Sequence, residues 1–333
     1  MSDKSTSASG KYFIFDTNIW MKTNLMRSSV GSALILNIDL ASAKIGLPEV
    51  VREETMQNLI HRGLEHAERI HDSWSAICRI APRLDDDWPY VPDEKSLRSY
   101  LNERWEKLSP IIELFPTKPQ HTMGAYRRVL KREAPNGPKD QQFKDSVIWE
   151  CLLDLAEHSE VIFISADKGF YEGRRYEHGL ARNLATELEE EGRSIRIHPD
   201  VSIVSAELEQ SIPTIDFEKL KESIVKLNCS RWSESASEKD FEIGDRTDFE
   251  LVTIPLGKTS ELALQFSVEF NLNEVNMSRM HERLKPYLRT EGEAVYNIEN
   301  NSIQTTITYL EIAWYDLTGD WHGGRTYFRY IKE

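Results

Sequence analysis

Two short apolar runs constrain the fold more than anything else in the chain. Residues 12–15 (YFIF) and 161–165 (VIFIS) are rich in aromatic and β-branched side chains and carry no polar alternation. A run of that length and character is a strand buried on both faces, as in the middle of a parallel sheet. Each is followed closely by an acid: Asp16 comes directly after the first, and Asp167 lies just beyond the second.

Helical patterns alternate with these strands. A helix is expected from about Asn18, with Thr17 or Asn18 as its cap. A second strand is expected over 44–47, and then a long helix that starts at Pro48, a favourable opening residue, and reaches about Cys78. Further helices are expected over 93–108 and 122–133, followed by the breaker APNGPK at 134–139. The apolar positions Ile148, Leu152 and Leu155 predict a helix over 140–158. A helix over 177–191 and a strand over 194–198 complete an α/β alternation. After about Pro213 the pattern changes. A short helix over 215–227 leads to two-residue alternation, in which Leu262, Leu264, Phe266, Val268 and Phe270 share one face. Similar alternation over 307–314 and 326–331 predicts an antiparallel sheet with one wet face. The expected organisation is a disordered tail over 1–10, an α/β domain over 11–212 with a helical insertion near 82–135, and a β-rich α+β domain over 213–333.

Charge and cysteine content narrow the function classes. Lys and Arg number 41 against 55 Asp and Glu, a net charge of −14 in 333 residues. That balance disfavours avid nonspecific binding to nucleic acid but leaves room for an acidic site that holds a divalent cation. Cys78, Cys151 and Cys229 have neither zinc-site nor disulfide spacing, which suits a reducing cytoplasm. No apolar stretch approaches membrane-spanning length, and the first ten residues lack the apolar core of a secretory signal.

Four acids stand out by position. Asp16 and Asp167 follow strand ends, where residues of an open α/β sheet converge on a crevice. Glu54 and Asp145 lie in the first turns of helices that face the same edge. Four carboxylates gathered there repel one another unless a cation sits between them. Oxygen ligands without Cys or His select Mg²⁺ or Mn²⁺. Asn18 and Ser165 are candidates for holding such ligands, with capping and strand-end structure as their plain alternatives. The segment 126–144 has six Lys or Arg and two acids. Its Arg127, Arg128, Lys131, Arg132 and Lys144 are candidates for a phosphate track, or else a solvated helix face. Trp20 and Trp149 read as core.

The motifs FDTNIW (15–20), LPEVVREE (47–54), FKDSVIWECLLDLA (143–156) and VIFISADKGF (161–170) resemble, in order and spacing, those of PIN-domain nucleases. The resemblance covers about residues 11–200. It implies a Rossmann-like parallel sheet flanked by helices and an acid cluster that binds Mg²⁺ or Mn²⁺. It also implies cleavage of RNA by a metal-activated water. Asp16 matches the first acid and Glu54 the second, although Glu53 is adjacent. Asp145 matches the third and Asp167 the fourth. Gly169 departs from the pattern, since many members carry another Asp there. By analogy with toxin and defence members, the resemblance implies a regulatory, antitoxin-like partner. A second copy of the chain is another candidate partner, particularly for residues 213–333. Two other readings compete: a phosphotransferase or phosphatase of the haloacid-dehalogenase kind, and a PIN-like module without activity.

Overall fold

The computed structural model describes residues 10–81, 91–137, 141–208, 215–257, 260–274, 286–315 and 321–327. The expected tail lies outside them except for Gly10, as do residues 82–90 of the expected insertion and 328–331 of the last alternating run. The chain divides into two compact units. One comprises residues 1–25 and 41–201, and the other 26–40 and 202–333.

The first unit is built on a parallel sheet. Its strands are β1 (Lys11–Phe15), β2 (Lys44–Pro48), β3 (Ile112–Phe115), β4 (Glu160–Ile164) and β5 (Ile195–His198), in the order β3-β2-β1-β4-β5. All four pairings are parallel. The apolar runs at 12–15 and 161–165 supply its central strands. Phe13, Ile14 and Phe15 of β1, and Val161 to Ile164 of β4, have no exposed surface. Burial on both faces accounts for the absence of polar alternation. The helices of this unit are α1 (Thr17–Lys22), α3 (Glu49–Ile80), α4 (Glu94–Leu108), α5 (Pro119–Lys131), α6 (Phe143–Ala156) and α7 (Arg182–Glu191). Trp20 and Trp149 are fully buried, as expected of core residues.

The stretch expected as an insertion near 82–135 belongs to the sheet. It contributes β3, which pairs with β2 in parallel register, Ile45 with Ile112 and Leu47 with Leu114. β3 has no strand signal in the sequence because it is a four-residue edge strand and none of its side chains is fully buried. An edge strand needs no continuous apolar run.

The second unit is an antiparallel meander in the order β10-β9-β8-β7-β6. Its strands are β6 (Phe241–Pro255), β7 (Glu261–Glu274), β8 (Tyr287–Asn297), β9 (Ser302–Tyr315) and β10 (Trp321–Tyr327). It also holds α8 (Ile203–Glu207) and α9 (Phe217–Ser237), the latter ten residues longer at its C-terminal end than the expected 215–227 helix. Leu220, Ile224 and Trp232 of α9 form one core with Leu264, Phe266, Val268 and Phe270, the face that the alternation singled out. The opposite face is not wholly wet. Helix α2 (Ser29–Leu40), from the N-terminal part of the chain, packs against β6, β7 and β8. Ile254 and Ala263, register partners next to it in the alternation, are fully buried too. Glu293 of β8 accepts hydrogen bonds from Ser29 N and Oγ at 2.8 Å, which caps the start of α2. Asn37 Nδ2 donates to Pro255 O at 2.8 Å, and Asn37 Oδ1 accepts from Gly257 N at 3.0 Å. Residues 26–40 therefore fall in the second unit, which a single boundary at 212/213 does not capture.

Candidate functional site

The strand order creates the site. β1 has β2 on one side and β4 on the other, which makes the carboxyl end of β1 the point where the sheet's winding switches. Phe15 pairs with Ile164 at the end of the two strands, so the next residues, Asp16 and Ser165, emerge side by side. Ser165 Oγ donates to Asp16 Oδ2 at 2.6 Å. The same hydroxyl accepts from Asp167 N at 3.0 Å. One buried serine thus ties both strand-end acids together. Asp16 also caps α1, accepting from Thr17 N at 2.7 Å through Oδ1. Its capping role and its place in the cluster coexist.

Glu54 reaches the cluster from the second turn of α3, where its Oε2 accepts from Thr17 Oγ1 at 2.8 Å. Its other oxygen pairs with Lys144 Nζ. The adjacent Glu53 is exposed and pairs with Arg52 at 2.9 Å. Of the two neighbouring acids, Glu54 is the one that touches the group around Asp16. Asp145 lies in the first turn of α6, a helix whose N-terminus stands at the carboxyl edge of the sheet because it runs back into β4. Asn136, which is buried, seats the preceding loop there. Its Nδ2 donates to Ser146 Oγ at 2.9 Å and its Oδ1 accepts from Gln142 N at 2.7 Å.

The electrostatics mark the acids as one group. Burial pushes the Asp16 carboxyl up to about 6; the bonds from Ser165 and Thr17 pull it down, while Asp167 and Glu54 push it further up. Burial pushes Asp145 up to about 8, reinforced by Asp167, Asp16 and Glu54 and opposed by Lys144. Both shifts come first from burial and then from the neighbouring acids. Among the described residues, no three His, Cys, Asp or Glu side chains are arranged to hold a metal ion as they stand. Internal donors satisfy the oxygens of Asp16 and Glu54 instead. The donor set is nevertheless one of hard carboxylate oxygens, which suits Mg²⁺ or Mn²⁺ by its chemistry.

Two expected roles move. Asn18 is exposed on α1, and among the described residues no hydrogen bond joins it to a carboxylate. Thr17 takes the bridging position between Asp16 and Glu54. Its hydroxyl beside the DTN acid was the available signal, but only α3's approach gives it a partner. Arg128 is not available to a phosphate. It is buried, with Nε on Glu150 at 2.6 Å and Nη2 on Glu187. Arg127, Lys131 and Arg132 are exposed or partly exposed, with Arg132 just past the end of α5 in a left-handed conformation. Lys144 is exposed and bonded to Glu54.

Past Asp167, the helix expected over 177–191 begins only at Arg182. Short 3-10 turns occupy 168–178 because two tyrosines pin this segment to the strand end. Tyr171 donates to Ser165 O at 2.8 Å and Tyr176 to Ala166 O at 2.7 Å. The Gly169 departure has a steric cause: a Cβ there would lie 2.8 Å from Pro135 O and 3.0 Å from Asp167 Oδ1.

Residues 13–170 match the family model of the PIN domain. No curated protein matches the chain. PIN domains are generally nucleases that act on nucleic acid and typically use divalent metals. Among the described residues, no helix is long and apolar enough to cross a membrane. The matched stretch, which begins within the first strand of the parallel sheet and ends at Phe170, carries all four acids and is similar to a PIN domain.

Proposed function

We propose that this chain is a ribonuclease that hydrolyses RNA phosphodiester bonds with the help of Mg²⁺ or Mn²⁺. Asp16, Glu54, Asp145 and Asp167 would hold the cation. The observation that carries the reading is the convergence of the acids at the carboxyl edge of the sheet, where Ser165 links Asp16 to Asp167 and Thr17 links Asp16 to Glu54. A bound divalent cation supplies Lewis-acid activation of water and of the phosphate ester. The protein's own part is positional. Ser165 fixes the spacing of Asp16 and Asp167, and Thr17 does the same for Asp16 and Glu54. The Asn136 loop holds the first turn of α6, and so Asp145, in place.

The RNA track is assigned to Arg127, Lys131 and Arg132, with Lys144 beside the acids. An ungated ribonuclease harms its host, so this reading brings with it a protein partner or trigger that restrains it, in the cytoplasm, as for a toxin or defence effector. The test is cleavage of single-stranded RNA and DNA with Mn²⁺ or Mg²⁺ against an EDTA control. RNA is expected to be cut, and Asp16→Asn and Asp145→Asn to abolish cutting while unfolding stays cooperative. Full activity in both variants overturns the assignment.

A further inference from the structure

Lys144 and Glu54 are 90 residues apart in sequence, yet the lysine nitrogen sits on Glu54 Oε1. Glu54 Oε2 accepts the Thr17 hydroxyl at the same time. Both oxygens of Glu54 are therefore committed to donors within the protein. The two partners differ in exposure: the Lys144 side chain is 63% exposed and that of Glu54 18%. Lys144 also directly precedes Asp145, and its charge opposes the upward push on that carboxyl.

A lysine is a single point charge on a flexible stem, and an ion pair open to solvent holds weakly. A divalent ion brings twice the charge to the same acids. We propose that Lys144 is a built-in counter-cation that competes with the divalent ion for Glu54. In the metal-free protein it holds this carboxylate. It must leave before Glu54 can join Asp16, Asp145 and Asp167 around an ion. The proposal rests on reading those four carboxylates as a metal site.

The test is Mn²⁺ binding by calorimetry, without nucleic acid, to the full chain and two variants. Lys144→Met removes the competitor. Lys168→Met removes a positive charge next to Asp167 without touching Glu54, since Lys168 lies over the Tyr176 ring at 5.4 Å. Freed of an exposed ion pair, Lys144→Met is expected to bind Mn²⁺ roughly three- to five-fold more tightly than the parent. Lys168→Met is expected to stay closer to the parent. Equal affinity in the parent and Lys144→Met overturns the competition and leaves the metal site standing. An equal gain in Lys168→Met also overturns it, because a general change of field would then suffice. Absence of Mn²⁺ binding in all three proteins removes the competition and the metal site together.

Discussion

Single side chains in this site serve two demands at once: Asp16 caps α1 and also meets Ser165 in the cluster. Asp145 ionises near 3.8 in an unfolded chain and near 8 in the folded one, chiefly through burial and then through its acidic neighbours. Between those values the folded state binds more protons than the unfolded state, so metal-free stability falls as pH rises through that window. Melting in EDTA at about pH 5 and about pH 8 is expected to show the loss. Asp145→Asn, which cannot ionise, is expected to flatten the dependence, and an unchanged slope would count against the shift. Gly169 gives a steric prediction. Alanine there forces its Cβ closer to Pro135 O than real side chains come. Gly169→Ala is expected to cost roughly 1–3 kcal/mol, read from denaturant midpoints.

At the scale of elements, α5 shows what a charge run can and cannot say. Four basic residues on adjoining turns look equivalent in sequence. In the structure, Arg128 points inward to Glu150 and Glu187, while Arg127, Lys131 and Arg132 keep solvent access. The two sets should separate by experiment. Arg128→Ala strands two half-buried carboxylates and is expected to destabilise by roughly 3 kcal/mol, with the midpoint as readout. Reversing the charge of Arg127, Lys131 and Arg132 together is expected to leave the midpoint nearly unchanged. It should weaken RNA binding and lower its salt dependence by about 0.7 in slope for each phosphate no longer neutralised. Unaltered affinity and slope would mean that RNA passes elsewhere.

At the scale of the whole molecule, the two units are interleaved in sequence. The chain leaves the parallel-sheet unit after Leu25, forms α2 within the antiparallel unit, and returns at Ala41. Val30, Ala33, Leu34 and Ile38 of α2 are fully buried. Cutting the chain after residue 212 would strip these side chains of their sheet. The fragment 1–212 is expected to aggregate, and replacing residues 26–40 by a short polar loop is expected to restore a monomer on size exclusion. A monomeric, folded fragment with α2 intact would show that the sheet is dispensable to it.

The central strands, the helices that flank them and the acids at their ends were legible in the residues alone. A strand covered on both faces must be apolar throughout, and a chain that leaves such a strand must do so at the sheet edge where a crevice forms. Periodicity shows that a face is buried but not what buries it, because the hydrophobic effect has no direction. The same limit hid the edge strand β3, helix α2 and the sheet it packs on, the inward turn of Arg128 and the meeting of Lys144 with Glu54. Each depends on a partner far along the chain, and only the folded arrangement brings those partners together.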